Sequence, residues 1–425
     1  MILLLLIIML LLFLINVPVA FAIGISTMII SIWISDINLL RLIQSMFSSL
    51  DSFPLMAVPF FILAGKLMEY GGLSQKIVEF ASSLVGNIRG GLAHVSIVAC
   101  MFFGAISGSS VATIVAIGSI MIPHMVQRGY ERNFASAIQA AGGITGSIIP
   151  PSIPMVLIGV IAGISVGDLF IAGIIPGILI GLSLMLVAYL VSLKKGYGEN
   201  VAQSNKSIIK TLKESFWALL MPLIILGGIY AGIFTPTEAS VVAVVYGFFV
   251  GVFIYKQITY NVLKKILLST VLTTSSIGLI IATASYFGRL VTLERVPHNI
   301  AEALGNANLS PFTVMILICV FLLLLGTFMD GIAALIIATP ILFPIALGIG
   351  MDPVHFGVLM VVNLSVGLLT PPLGVGLFVA AKIGKVKYES ILRSIIPFLL
   401  VLIIDIIIIA LFPYISVGFS NFMKN

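Results

Sequence analysis

The sequence predicts an all-α polytopic membrane protein, built as an inverted repeat with two re-entrant helical hairpins and two broken helices. Three observations carry this: the composition, the length of the apolar runs, and a recurrence of glycine and proline marks. Of 425 residues, 60% are hydrophobic and 8% charged, with mean hydropathy +1.26. A soluble globular domain carries about 25% charged residues. No water-facing shell can cover this chain, and a soluble enzyme is excluded. Apolar runs of spanning length recur from end to end. They are continuous, whereas a transmembrane β-barrel alternates with period two.

The N-terminus, MILLLLIIMLLLFLINVPVAF, has no Lys or Arg before its apolar run. A secretory signal needs a basic n-region, so this segment is expected to be a retained span. Spans are expected near 1–15, 18–34, 54–68, 134–166, 169–193, 216–233, 237–254, 268–288, 356–382 and 394–413. Two further apolar stretches, 92–123 and 311–347, are each long enough for two short helices. Their middles are small or polar: Ser107-Gly108-Ser109-Ser110 in the first and Gly326-Thr327-Phe328-Met329-Asp330-Gly331 in the second. Each is expected to enter and leave on one side. The segment LSQKIVEFASSL, 73–84, sets Leu73, Ile77, Phe80 and Leu84 on one face and is expected to lie along the cytoplasmic interface. Thr235-Pro236-Thr237-Glu238 reads as a helix start, with Thr at the N-cap, Pro at N1 and Glu at N3.

Charge tests the arrangement. Ten crossings and two hairpins put 17 of the 21 Lys and Arg residues on one side, leaving Arg41, Arg289, Arg295 and Lys424 on the other. The positive-inside rule makes the first side cytoplasmic and places both termini outside. The net charge of +6 sits in short loops between apolar runs and is no nucleic-acid signal. Cys100 and Cys319 lie inside apolar stretches and read as small buried hydrophobes, without disulfide or metal spacing.

Shifting the chain by 221 residues aligns Pro123 with Pro344, Gly129 with Gly350, Gly146 with Gly367, and Pro150-Pro151 with Pro371-Pro372. Pro18 meets Pro236 at a slightly shorter shift. The expected layout is a first repeat over 1–193, a cytoplasmic connection over 194–215 and a second repeat over 216–425. Each repeat holds three spans, a hairpin, a broken span and a last span. Five crossings per repeat is odd, so the second is inverted. Inverted repeats with discontinuous helices are the construction of secondary transporters, with substrate and ions at the midplane.

Non-helical backbone inside a bilayer survives only when buried in protein or lining a wet cavity. Four such places are expected: the two tips and the two breaks, Gly142–Ser152 and Gly367–Pro372. Proline removes amide donors and glycine lets the chain open, so carbonyl oxygens are freed for a hard cation such as Na⁺. Helix N-termini starting at the same breaks offer amides and a positive dipole end to an anion. Serine and glycine also serve close helix packing; their recurrence as tip plus break in both repeats favours function. Asp330, an acid at a tip, reads as an ion ligand, a proton site or a cap. Asp405 stands alone in the last span.

Other classes fit poorly. No P-loop is present. His94, His124, His298 and His355 fall near the span edges, where none can serve Ser107 as a protease base. Asp330 and Asp405 lack the motifs of an aspartyl protease. A channel does not require inverted pseudo-symmetry within one chain.

The motifs FFGAISGSSVATIVAIGSIMIPHM, IIPPSIPMVLIG, GIYAGIFTPTEASVVAVVYG, GTFMDGIAALIIATPILFPIALGIGMDPVHFG and NLSVGLLTPPLGVGLFV are long and specific, and the resemblance they carry runs along essentially the whole chain. They resemble the large membrane subunit of TRAP (tripartite ATP-independent periplasmic) transporters. The resemblance implies an elevator-type, Na⁺-driven importer of the ion-transporter superfamily. It implies two partners, a small four-helix membrane subunit on a separate polypeptide and a soluble periplasmic binding protein. It implies at least two Na⁺ sites. One would lie between Ser107, Ser110 and Gly146, Ile149, Pro150; the other would join Gly326 to Gly367, Thr370 and Leu373. The substrate carboxylate would face Ser109, Ser110, Ser152 and the neighbourhood of Asp330. Overall similarity leans to the sialic-acid importers over the C4-dicarboxylate ones. A conventional Na⁺/carboxylate carrier without a soluble receptor is the remaining alternative.

Overall fold

A computed structural model describes residues 2–33, 39–197 and 207–424, and among these every regular element is a helix. The chain opens with two apolar helices, α1 (Ile2–Leu14) and α2 (Val19–Trp33), parted at Pro18. Next comes α3 (Leu39–Leu50), short and amphipathic, then a 66° bend at Pro54 and α4 (Ala57–Tyr70). After α5 (Leu73–Val85), the pair α6 (Gly91–Ser107) and α7 (Ser110–Gln127) folds back at Gly108 and Ser109. The broken span follows as α8 (Arg132–Gly143), α9 (Thr145–Ile148) and α10 (Ile153–Ala162), bent by 42°. The long α11 (Val166–Lys195) ends the first half. Of the expected connection 194–215, residues 198–206 lie outside the described ones.

The second half repeats the order. It has α12 (Ile208–Tyr230), α13 (Pro236–Phe249, continued by a π-helical turn to Ile254), α14 (Tyr260–Leu293) and a short α15 (Val296–Asn306). A second folded-back pair, α16 (Pro311–Phe328) and α17 (Gly331–Gly348), leads to a second broken span, α18 (Pro353–Gly367) and α19 (Val375–Gly384). Then come α20 (Tyr388–Leu411) and α21 (Tyr414–Lys424). Both proline pairs, Pro150-Pro151 and Pro371-Pro372, contain a cis bond.

Packing sorts these helices into two layers. The leading elements of each half, α2 to α5 and α12 to α14, pack on one another as a frame, with α1 against α2. The hairpins, the broken spans, α11 and α20 form an inner body. Polar contacts gather the loops at two ends. Lys195 pairs with Glu131 at 2.5 Å, Lys76 with Glu214 at 3.4 Å, and Arg132 reaches the Gly384 carbonyl at 3.4 Å; all of these segments fall on the basic side. At the opposite end, Thr237 donates to the Phe53 carbonyl at 3.2 Å, and His355 Nδ1 meets Ser416 Oγ at 2.7 Å. The first hairpin opens at the basic end and the second at the other, so the halves are inverted.

The Thr235–Glu238 capping box is present, with the Glu238 carboxylate accepting from the Thr235 N–H at 2.8 Å. Cys100 and Cys319 are buried and free, as expected. Each thiol touches an amide of its own half's broken span, Gln139 at 3.1 Å and Asn363 at 3.7 Å. Helix α5 forms as an amphipathic helix, and its apolar face is spent on protein: Leu73, Ile77 and Phe80 are buried against α6 and α12, and of the four only Leu84 is exposed. Polar contacts also tie α5 to α12: Lys76 bonds to Glu214, and Ser215 donates to the Lys76 carbonyl at 2.8 Å.

Candidate functional site

The first tip is made by two backbone choices. Gly108 closes α6 in the left-handed region at φ 62°, where a Cβ would sit 2.8 Å from the Pro151 carbonyl oxygen. Ser109 is extended and caps α7, its Oγ accepting from the Ala112 N–H. The Gly108 carbonyl accepts from the Ile153 N–H at 3.1 Å, locking tip to break. Behind the tip, Ser107 and Thr113 hydroxyls meet at 3.0 Å, and Thr113 donates to the Ser109 carbonyl at 2.8 Å.

Glycines bring each tip arm onto its break. A Cβ on Gly104 would lie 2.7 Å from Gly146 Cα; a Cβ on Gly367 would lie 2.7 Å from Gly326 Cα. The same pairing therefore occurs in both halves. It gathers Ser107, Ser110 and Gly146 on one side, and Gly326, Gly367 and Thr370 on the other. Pro150 deprives the Gly146 carbonyl of its donor four residues on. In the second half, the N–H groups of Gly376 and Leu377 donate to Leu368 and Gly374, bypassing the Leu373 carbonyl. The Thr370 hydroxyl donates to the Val366 carbonyl at 3.1 Å and its N–H to Gly367 at 2.9 Å. The Ile149 side chain packs towards Gly177 on α11, so its carbonyl is the group it can offer to the break.

The two tips meet in one narrow cleft. Ser109, Ser110 and Val111 from α7, Ile153 and Pro154 from α10, and Asp330, Gly331 and Ile332 from α17 all line it. Three helix N-termini thus open on one space with the positive ends of their dipoles; at α10 the first N–H groups are already taken, Ile153 by the Gly108 carbonyl and Met155 by Ser152, and Pro154 has none. Asp330 is the N-cap of α17, accepting from the Ile332 N–H at 3.1 Å, so of its three sequence readings the cap is realised. Ser152 is fully buried; its Oγ donates to the Ser147 carbonyl at 2.5 Å and accepts from the Met155 N–H, so it braces the break behind the cleft.

Two residues absent from the sequence-level set stand at the centre. Ser147 Oγ lies 2.6 Å from Ser110 Oγ and 2.6 Å from Ser365 Oγ, a chain of hydroxyls joining the halves. Three protons serve three hydroxyls. Passed one way they end on the Val361 carbonyl, 2.6 Å from Ser365; passed the other way they end on Ile144, 3.2 Å from Ser110. Either way the protons are spent within the protein, and the starting hydroxyl offers lone pairs, which suit a cation. Ser147 was legible as a polar residue in the first break. Ser365 carried no local signal.

The cleft has a volume of about 50 Å³, far below the roughly 300–1,000 Å³ of small-molecule pockets. An organic acid enters only if the walls part. Two roomier cavities, about 750 and 500 Å³, lie between frame and inner body at the end away from the basic loops, and they hold none of the expected site residues. Among the described residues no group of three or more His, Cys, Asp or Glu could hold a metal. The oxygens that the two breaks and tips bring together are carbonyls and hydroxyls, with the single Asp330 carboxylate in the cleft.

Comparison with known proteins bears on what such a site serves. The profile described as "Tripartite ATP-independent periplasmic transporter, DctM component" matches residues 6–415. The chain is 41% identical over 408 residues to the isethionate TRAP transporter permease protein DctMQ of Oleidesulfovibrio alaskensis, covering 96% of this chain but 64% of that longer protein. It is 39% identical to the C4-dicarboxylate TRAP transporter large permease protein DctM of Vibrio cholerae, covering 95% and 94% of the two. It is 40% identical to the sialic acid TRAP transporter large permease protein SiaM of the same organism, over 87% of this chain. Among solved structures, the Alcanivorax borkumensis YdaH transporter, described as having an unusual topology, superposes with a TM-score of 0.63 at 15% identity, covering 89% of each chain. That likeness concerns the fold.

Proposed function

Since this chain belongs to the DctM family of TRAP transporter large membrane subunits, a multi-pass permease component and not an enzyme, we propose that it imports an organic acid anion together with Na⁺. In this reading it sits in a bacterial inner membrane with both termini periplasmic. It works beside a small four-helix membrane subunit and a periplasmic binding protein that delivers the substrate. The observation that carries the proposal is the convergence of three helix N-termini, flanked by freed carbonyls, on one cleft between inverted halves. Amides and dipole ends attract the carboxylate; carbonyls and hydroxyls beside them take the cations.

The inner body moves against the frame as a unit, carrying substrate and ions. Two Na⁺ ions offset the anion, so the loaded body can cross a region that repels a bare charge. Half-loaded states cross poorly, and that difference couples the fluxes. N-acetylneuraminate is our first substrate, and a C4-dicarboxylate the second; relatives named for these acids both stand at 40% identity and one named for isethionate at 41%, so the uptake assay decides among them.

The deciding experiment is uptake into vesicles holding the large and small subunits, with N-acetylneuraminate, succinate or isethionate offered in turn. Uptake is expected only with an inward Na⁺ gradient and the binding protein present. Uptake without the binding protein would make this a conventional carrier, and uptake indifferent to Na⁺ would remove the coupling. In the same assay Ser110→Ala and Thr370→Val are expected to raise the Na⁺ concentration for half-maximal uptake by about tenfold each, the worth of one charge-assisted contact. Wild-type Na⁺ activation in both variants would overturn the cation-site assignment.

A further inference from the structure

One exposed charge, Arg289, stands at the mouth of a cavity that the mechanism above does not use. The cavity of about 500 Å³ between α14 and α17 is large enough for a small organic ligand. Arg289 is the sole charged residue among the described residues lining it, and its polar companions are Ser49, Ser52, Ser285, Thr292 and Thr339. Three of those hydroxyls are already spent. Ser49 donates to the Met46 carbonyl at 2.8 Å, Thr292 to Gly288 at 2.8 Å and Thr339 to Leu335 at 2.6 Å. The donors that remain are the guanidinium and the hydroxyls of Ser52 and Ser285. A planar fork of N–H groups flanked by two hydroxyl donors matches a carboxylate.

The cavity also adjoins the central cleft. Ile336, Thr339, Pro340 and Phe343 of α17 face it, while Gly331, Ile332 and Leu335 of the same helix face the cleft. These positions follow at three- and four-residue steps, so one stripe of α17 runs from one chamber into the other. At 1.5 Å per residue, Thr339 and Ile332 are about 10 Å apart along the helix. Helix α14 touches α17 beside Arg289: a Cβ on Gly288 would lie 3.1 Å from Pro340 Cγ. Arg289 thus stands on the frame, facing the mobile body along the path to the cleft.

We propose that this cavity is an outer anion chamber, in which Arg289 holds the carboxylate of the incoming acid before it passes along α17 to the cleft. This rests on the import reading above. Near the C-terminus of α14, Arg289 also suits the helix dipole, and the test must separate an anchoring role from a binding one.

The first arm needs no substrate. Ser285→Cys places a thiol one turn from Arg289, and the two native cysteines are buried. Its reaction rates with an anionic and a cationic membrane-impermeant methanethiosulfonate are compared. The anionic reagent is expected to react severalfold faster, and the preference should vanish in Ser285→Cys/Arg289→Gln. A ratio that Arg289→Gln leaves unchanged overturns the chamber. The second arm is vesicle uptake. Arg289→Gln is expected to raise KM about tenfold with near-normal Vmax and unaltered Na⁺ half-saturation, and Arg289→Lys should recover part of the loss. A lowered Vmax at constant KM, with Arg289→Lys fully restored, would make Arg289 an anchor and overturn the proposal. If wild-type vesicles accept none of the three acids, the import reading fails, while the reagent arm still decides the chamber.

Discussion

A single methyl group added at Gly146 or at Gly367 is expected to stop uptake and to lower thermal stability. Both glycines stand where the arm of a hairpin crosses a broken span. A Cβ on Gly146 would lie 2.7 Å from the Ser109 carbonyl oxygen; a Cβ on Gly367 would lie 2.7 Å from Gly326 Cα and 2.9 Å from its carbonyl carbon. At Gly367 the obstacles are backbone atoms, which cannot swing aside; at Gly146 the Thr113 hydroxyl oxygen lies nearer still, with the Ser109 backbone behind it, so turning Thr113 away would not clear the clash. Overpacking of this kind costs about 1–3 kcal/mol. Here it also forces tip and break apart, spreading the carbonyls and the Ser110–Ser147 bond that the cation reading requires. Gly227→Ala is the control. Nothing lies within 4 Å of a Cβ there, the residue sits in the last turn of α12, and alanine gains helix propensity of up to about 1 kcal/mol. Thermal unfolding in detergent and Na⁺-driven uptake are measured together. Wild-type uptake by Gly146→Ala and Gly367→Ala would refute the idea that tip and break act as one unit.

The same glycines show what a linear reading can reach. Gly146 and Gly367 were marked because proline pairs follow each at the same distance, a local pattern with a local cause. The long spans were legible because their apolarity exceeds any soluble helix. Helices α3, α15 and α21 were not. Each has 11 or 12 residues and a polar face, so a window of membrane length dilutes its signal. Helix α14 is longer than the expected 268–288, because its first turns carry Lys264 and Lys265 and fall below any hydropathy threshold. The hydroxyl chain was hidden for a different reason. Ser147 and Ser365 are 218 residues apart and meet only because the halves interlock. Asn363, fully buried with an unpaired Oδ1, shares that history: one polar residue in an apolar run, whose surroundings are set by the other elements. Local breaks could be read; contacts across the pseudo-symmetry could not.

Asp330 is where cap and charge can be separated. As the N-cap of α17 its carboxylate accepts from the Ile332 N–H, and asparagine serves that role about as well. Asp330→Asn should therefore leave the unfolding temperature near wild type, while Asp330→Ala should lose about 0.5–2 kcal/mol with the cap. Transport separates the variants further. The cleft is lined by three helix N-termini and, among its described lining residues, by one acid, Asp330. The carboxylate balances those positive ends and favours a cation close by. On the proposed Na⁺-coupled import, removing it leaves the helix N-termini to favour the anion without the ions that would travel with it. Asp330→Asn is accordingly expected to raise the Na⁺ concentration for half-maximal uptake by tenfold or more, about 1.4 kcal/mol or above, while substrate binding without Na⁺ strengthens. Uptake by Asp330→Asn with wild-type Na⁺ dependence would leave Asp330 as a cap alone. The cation sites would then rest wholly on the carbonyls and hydroxyls of the two breaks.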